Sequence, residues 1–290
     1  MIHEKIPLSN DVIIDQIESI LTDYSLPFRF SRDHIQIFQS KKHYVLKCEI
    51  LSSPLNYQVN QIVIKYFNSR IIDHEKRFAN ELHNHEILIN IQKTHTESCL
   101  KIPKIYVSCP NIILYEFILS DMIESLLNEN LLSLSHIQKL ASYIVELHKF
   151  HYYFGDQRLR NFLFSKDGTL YSVDLENMYQ GSIPELFNDF CAFCGAFLDY
   201  RSNIFKGIYN PFAFNCMIQF CQAYFSHSST IHLFNSLISK ENFRIILVAN
   251  VLNTMKKTAL RRGIKVEKKI WNEINDNLLD RFQSLHNNVL

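Results

Sequence analysis

The sequence predicts an α+β chain made of two unlike parts, and three observations carry that expectation. Short apolar runs with strand-like alternation crowd residues 1–117, around a single long stretch of helical period. From residue 118 onward helical period dominates. The 290 residues are 47% hydrophobic and 20% charged, which is too apolar for disorder and enough to bury a sizeable core.

The elements follow in order. Asn10 can cap a helix over 10–23, whose Ile13, Ile14, Ile17 and Ile20 recur at helical spacing. IQIF (35–38) and HYVLKCEIL (43–51) read as strands around the polar turn Gln39-Ser40-Lys41-Lys42, and QIVIKYF (61–67) as a third. Residues 73–93 read as a helix with a stripe of Phe78, Leu82 and Ile89. KIPKIYV (101–107) and NIILYEFIL (111–119) complete five strands. Beyond residue 118, residues 133–150 read as a long helix, with Ser135 as a candidate cap and Ile137, Leu140, Ile144 and Leu147 on one face. FGDQRLRNFLF (154–164) and TLYSVDLE (169–176) are short extended pieces joined by the turn KDGT. Residues 185–290 are mostly helical.

Composition narrows the function. A formal net charge of +1 argues against a dedicated nucleic-acid binder. Seven scattered cysteines, most in apolar settings, suit buried thiols in a reducing compartment. Cys191 and Cys194 form one CxxC without a second pair, so they read as two small residues on a helix face rather than a zinc or redox motif. No signal-peptide pattern and no apolar run of membrane-spanning length is present. The expected location is cytoplasmic, with peripheral contact at a membrane surface left open. Oligomeric state is not legible.

Phosphoryl transfer depends on positioning and charge stabilisation more than on covalent chemistry. It needs a carboxylate near the acceptor hydroxyl, oxygen ligands for magnesium and a cation on the nucleotide phosphates. This chain supplies them in order. Asp156 is placed to orient and deprotonate an acceptor hydroxyl, and Asn161, five residues on, to hold magnesium. Asp174, at the end of TLYSV, is a second oxygen ligand. Lys65 sits mid-strand among apolar neighbours and needs a partner for its charge. Helical phase favours Glu86 over Glu81 for that role, because Glu86 shares the stripe of Phe78, Leu82 and Ile89. His148 and His151 lack a third ligand and read as structural.

With these residues in hand, the chain from about residue 35 to 200 resembles the protein-kinase-like superfamily, especially its aminoglycoside-phosphotransferase and lipopolysaccharide-kinase (Kdo/heptose) branches. LHKFHYYFGDQRLRN resembles the catalytic loop, and SVDLE resembles the metal-binding strand end. QIVIKYF resembles the lysine strand, and ILYEFI resembles the hinge. LFNDFCAF resembles the later helix start, with Asp189 tying down the catalytic loop. The resemblance implies a bilobal kinase-like fold: a nucleotide-binding lobe over 1–117, with five strands and one helix, and a helical catalytic lobe over 118–290. It implies ATP and Mg as cofactors. Lys65 with Glu86 would hold the phosphates, and the backbone at Glu116 and Ile118 would meet adenine. Asn161 and Asp174 would hold magnesium, and Asp156 would serve the acceptor.

The chain departs from that pattern in places. Phe154 stands where the family usually has His or Arg before the Gly-Asp. Arg158, two residues after Asp156, either steadies the transferring phosphoryl group or pairs with a surface carboxylate. Arg160 reads as a surface residue. All six glycines lie at position 155 or beyond, so no glycine-rich loop precedes Lys65 and the turn 39–42 would have to cover the phosphates. The stretch 255–269 carries seven basic residues and one acid, and reads either as a surface for an anionic partner or as an exposed helix face. The short segment between Asp174 and Asp189 favours a small-molecule or glycan acceptor. An atypical protein kinase, including a secreted one, and a silent nucleotide-binding module remain the alternatives.

Overall fold

Both strand and helix occur in each of the two units into which the chain divides. The computed structural model describes residues 10–33, 35–39, 43–53, 60–69, 71–199, 204–235 and 243–289. It is a mixed α+β structure whose sheets are antiparallel, with no barrel among the described residues. The chain divides into two compact units. The first comprises Met1–His83 with Pro103–Leu119, and the second Asn84–Ile102 with Ser120–Leu290. That division differs from a single cut at 117. It gives the second half of one helix to the second unit, because Leu88 and Ile91 pack in that unit's core with Leu100 and Ile102.

In the first unit, helix α1 (Asn10–Asp23) precedes strands β1 (Arg29–Phe30), β2 (Gln36–Gln39), β3 (Tyr44–Ser52) and β4 (Gln61–Tyr66). Helix α2 (His74–Thr94) follows, then β5 (Ile105–Cys109) and β6 (Ile112–Glu116). The sheet has six strands in the order β1-β3-β4-β6-β5, with β2 also on β3. The sequence expectation was five. The added strand β1 is two residues long, below what alternation can reveal. It is fixed by Glu18 of α1, whose carboxylate accepts from the Phe30 N–H at 2.9 Å and from the guanidiniums of Arg29 and Arg32 at 2.9 and 3.0 Å. The strand expected over 101–107 begins at Ile105 instead, because Pro103 has no N–H to give a ladder.

The period-2 pleat sorts β4 between two cores. Ile62 and Ile64 join the α1 stripe of Ile13, Ile14, Ile17 and Leu21 on one face of the sheet. Val63 lies on the other face, with Phe67, Ile113 and Tyr115 and with Phe78 and Leu82 of α2. Lys65 has the parity of Val63 and Phe67. It pairs in register with Ile113 of β6, so an ammonium group is set on an apolar face.

In the second unit, β7 (Ser120–Met122), α3 (Ile123–Asn128) and α4 (Leu134–Lys149) lead to β8 (Tyr152–Phe154), β9 (Phe162–Ser165), β10 (Leu170–Ser172) and β11 (Met178–Gln180). The helices α5 (Ile183–Leu198), α6 (Pro211–Phe225), α7 (Ser228–Phe234), α8 (Phe243–Arg261) and α9 (Lys268–Val289) follow. The cap of α4 is Ser133 rather than Ser135. Its hydroxyl accepts from the His136 N–H, and the His136 ring accepts from the Ser133 N–H in return. Two small sheets, β10-β9-β7 and β11-β8, carry the loops of interest. Beneath them an aromatic core of Tyr143, Phe154, Phe162, Phe190, Phe193, Phe220 and Tyr224 is almost wholly buried. No described helix is long and apolar enough to cross a membrane.

Candidate active site

The turn at Lys166–Thr169 folds β9 back on β10, with Phe162 opposite Ser172 as the last ladder pair. One residue further out on each strand, the Val173 N–H donates to the Asn161 carbonyl at 2.9 Å. The open end of the hairpin therefore places Asn161 beside the residue that precedes Asp174. The loop before β9 is wound tightly. Arg158 N–H donates to the Asp156 carbonyl and Asn161 N–H to the Arg158 carbonyl, both at 2.9 Å. The Asn161 side-chain nitrogen also donates to the Asp156 carbonyl, at 3.2 Å. Asp156, Arg158 and Asn161 are thus held together by backbone and side-chain bonds within the loop.

The donor set suits a hard cation. Asn161 is buried and its amide nitrogen donates to Asp156, while its side-chain carbonyl is an oxygen of the kind that ligates magnesium. Asp174 supplies a carboxylate, and oxygen ligands of this kind are what magnesium takes. Asp174 sits at φ 63°, ψ 55°, in the left-handed region. Aspartate tolerates that region better than most residues, and such outliers concentrate at functional sites. Immediately after it, Asn84 of α2 donates to the carbonyls of Leu175 (2.7 Å) and Met178 (3.0 Å). Tyr143 Oη and Ser172 Oγ meet at 2.5 Å in the buried interior below.

Arg158 is in an ion pair with a carboxylate, one of the two roles expected of it. Its Nε lies 2.8 Å from Asp156 Oδ1, so the guanidinium is paired with the candidate catalytic acid itself. The Arg158 side chain is 41% exposed and that of Asp156 14%, so the pair sits at the mouth of the loop. Arg160 is exposed, in line with a surface residue.

The loop is anchored from below. Phe154 packs edge-on against Phe162 and Phe193, with centroids 5.4 and 6.3 Å away. An aromatic ring at this position fills the core under the Gly-Asp step. Asp189 of α5 is buried, and its carboxylate bonds His148 Nε2 at 3.1 Å and accepts from the Gln157 side chain. Gln157 donates in addition to the Phe154 carbonyl. Burial pushes the Asp189 carboxyl up from its ordinary value, opposed by the hydrogen bonds from His148 and Gln157. His148, fully buried, bonds Tyr224 Oη at 2.6 Å through its other nitrogen, so both ring nitrogens serve the scaffold. Gln157 is a residue that sequence reasoning missed, because a loop glutamine carries no periodic signal.

In the first unit, Lys65 Nζ is 3.1 Å from Glu81 Oε2, and Tyr115 Oη donates to Glu81 Oε1 at 2.8 Å. The expected partner Glu86 is exposed. The buried face of α2 runs through Glu81, Asn84, His85, Leu88 and Ile91. Three of those five are polar, so the apolar stripe of Phe78, Leu82 and Ile89 marks the flank of the buried face and not its centre. The Glu116 N–H donates to the Lys104 carbonyl at 2.8 Å, and the Glu116 carboxylate accepts from the Lys104 N–H at 3.2 Å. Residues 117–119, with Ile118 among them, leave regular structure between β6 and β7. Residues 40–42 of the turn expected to cover the phosphates lie outside the described residues.

The candidate residues thus fall into two sets: Lys65, Glu81, Tyr115 and Glu116 in the first unit, and Asp156, Arg158, Asn161 and Asp174 in the second. Cys191 and Cys194 are buried on α5, and Cys194 Sγ contacts Cys221 Sγ at 3.4 Å. Burial holds both CxxC thiols well above the usual range, and they pack as small apolar groups. No protein-family model matches the chain, and no curated protein matches it in sequence.

Proposed function

We propose that the protein is an ATP- and Mg-dependent phosphotransferase of the protein-kinase-like superfamily, passing the γ-phosphate to a hydroxyl of a small molecule or sugar. The observation that carries this reading is the grouping of Asp156, Asn161 and Asp174 at the open end of the β9–β10 hairpin, with Asp174 left-handed. Asn161 and Asp174 would hold magnesium, which when bound neutralises phosphate charge. Lys65, steadied by Glu81 and Tyr115, would bind the α/β-phosphates. Asp156 would accept the proton of the attacking hydroxyl. Arg158 would leave Asp156 for the phosphoryl group as negative charge gathers there, which its flexible and half-exposed side chain permits.

Binding of Mg·ATP and its turnover test the reading, comparing the wild type with Asp156→Ala and Asp174→Ala over sugars, amino alcohols and generic protein acceptors. The reading expects Mg-dependent ATP binding that Asp174→Ala loses and turnover that both variants lose. No nucleotide binding and no turnover would sink it. One observation favours a second reading, a silent nucleotide-binding module: the Asp156–Arg158 ion pair occupies the acid that catalysis requires. Mg·ATP binding without turnover of any acceptor would select it.

A further inference from the structure

A groove of about 280 Å³ runs alongside the loop that carries Asp156. One wall is a stripe of α5, with Glu185 and Asp189; the other is a stripe of α8, with Thr254, Lys257 and Arg261; Gln157, the residue after Asp156, closes one side. The spacing on each helix is i, i+3, i+4, i+7, so each wall is a single helical face.

The charges in this groove are unevenly engaged. Glu185 is bound to its own helix start, its Oε2 accepting from the Ser182 N–H at 2.7 Å and from the Ser182 hydroxyl at 2.8 Å. Asp189 is bonded to His148 and Gln157. Among the described residues, neither Lys257 nor Arg261 is in an ion pair. The neighbouring Asp199 is bonded to Arg262 at 2.6 Å, and its charge also acts on Arg261 from beyond ion-pair distance. Lys256, the other lysine of this turn, lies over the Trp271 ring. Of the basic stretch 255–269, Lys257 and Arg261 are the two cations that line this groove, one turn apart on α8, beside the loop that carries Asp156.

We propose that Lys257 and Arg261 bind an anionic group of the acceptor, a phosphate ester or a carboxylate. Its hydroxyl would be presented toward the Asp156 loop. This rests on the phosphotransferase reading for the role of the ligand, but the anion site itself is read out by binding alone. An arginine and a lysine one turn apart match a group with two or three acceptor oxygens, and charge-assisted bonds of that kind are the stronger ones.

Calorimetric titration of the full chain with glucose 6-phosphate, gluconate and glucose tests it, with Mg·ATP titrated on the same preparations. The wild type is expected to bind at least one of the two anions more tightly than glucose. Lys257→Ala/Arg261→Ala is expected to weaken that binding about tenfold or more, as loss of charge-assisted bonds implies. Arg261→Lys should recover part of it, and Lys265→Ala/Lys268→Ala, in the same basic stretch but off the groove, should change nothing. Glucose 6-phosphate bound more tightly than gluconate assigns a phosphate ester, and the reverse a carboxylate. Anion binding that the double substitution leaves intact, or neither anion exceeding glucose, overturns the proposal. Failure of Mg·ATP binding with anion binding retained overturns the phosphotransferase reading and leaves the groove standing.

Discussion

Lys65 Nζ meets Glu81 Oε2 at 3.1 Å with both side chains almost wholly buried, 5% and 3% exposed. The pair bridges β4 and α2, and Tyr115 of β6 completes it from the neighbouring strand. A buried charge pair is weak evidence for stability in itself, but breaking it is costly because one charge is left without compensation.

Glu81→Ala is therefore expected to destabilise the protein by about 3–5 kcal/mol, and Tyr115→Phe by about 1 kcal/mol. Glu86→Ala, on an exposed position, should stay within about 0.5 kcal/mol of wild type. Urea unfolding of the three variants checks the ranking. Equal effects from Glu81 and Glu86 would contradict the pairing.

Arg158→Ala separates the two jobs open to that guanidinium. If it moves to the phosphoryl group, turnover should fall, and Arg158→Lys should restore part of it. If it only restrains Asp156, turnover should rise. Loss with partial rescue is the expected result, while Asp156→Asn should lower turnover by about 10²–10⁴-fold with Mg·ATP affinity retained. Single-turnover kinetics alongside nucleotide titration reads both.

Gly155→Ala should disturb the Asp156 loop from its neighbour. A Cβ there would stand 2.8 Å from the Tyr179 ring and 3.0 Å from the Asn177 carbonyl, while the Gly155 N–H already bonds that carbonyl at 2.5 Å. Such overpacking costs about 1–3 kcal/mol. Adding Tyr179→Ala should recover part of the loss, because the ring can be removed and the carbonyl cannot. Thermal unfolding and turnover are the measurements, and full recovery would show that the backbone contact is harmless.

The thiols predict an alkaline limit. Burial pushes Cys48 up to about 12, and Cys109 and Cys216 to about 11, from an ordinary value of 9.0. The native state keeps these protons longer than the unfolded chain does. Their contribution to stability is therefore complete below pH 9 and is lost as pH rises toward 11–12. Thiol labelling at pH 8 should be slow in the native protein and rapid in denaturant. Even the half-buried Cys99 should lag, because burial and its bond to Glu146 push it up to about 12. Fast labelling of the native protein would contradict the packing.

Much of the local arrangement of the candidate residues was legible because it follows from their order in the chain. The candidate residues Asp156 and Asn161 lie five apart, and Asp174 lies two residues past a strand that a four-residue turn must fold back beside them. Alternation in QIVIKYF placed Lys65 on a face where an unpaired charge is untenable, so a partner was required.

What the sequence determined by itself was the α+β composition and the need for a carboxylate near Lys65. Which carboxylate, the tertiary structure decided. The buried face of α2 carries Glu81, Asn84 and His85 among its apolar residues, and a hydrophobic period cannot register a face that buries polar groups. The Asp156–Arg158 pairing, the Gln157–Asp189–His148 chain and the groove between α5 and α8 belong to the same class. Each joins side chains whose meeting depends on long-range packing or on rotamer, and neither of these leaves a spacing to read in the sequence.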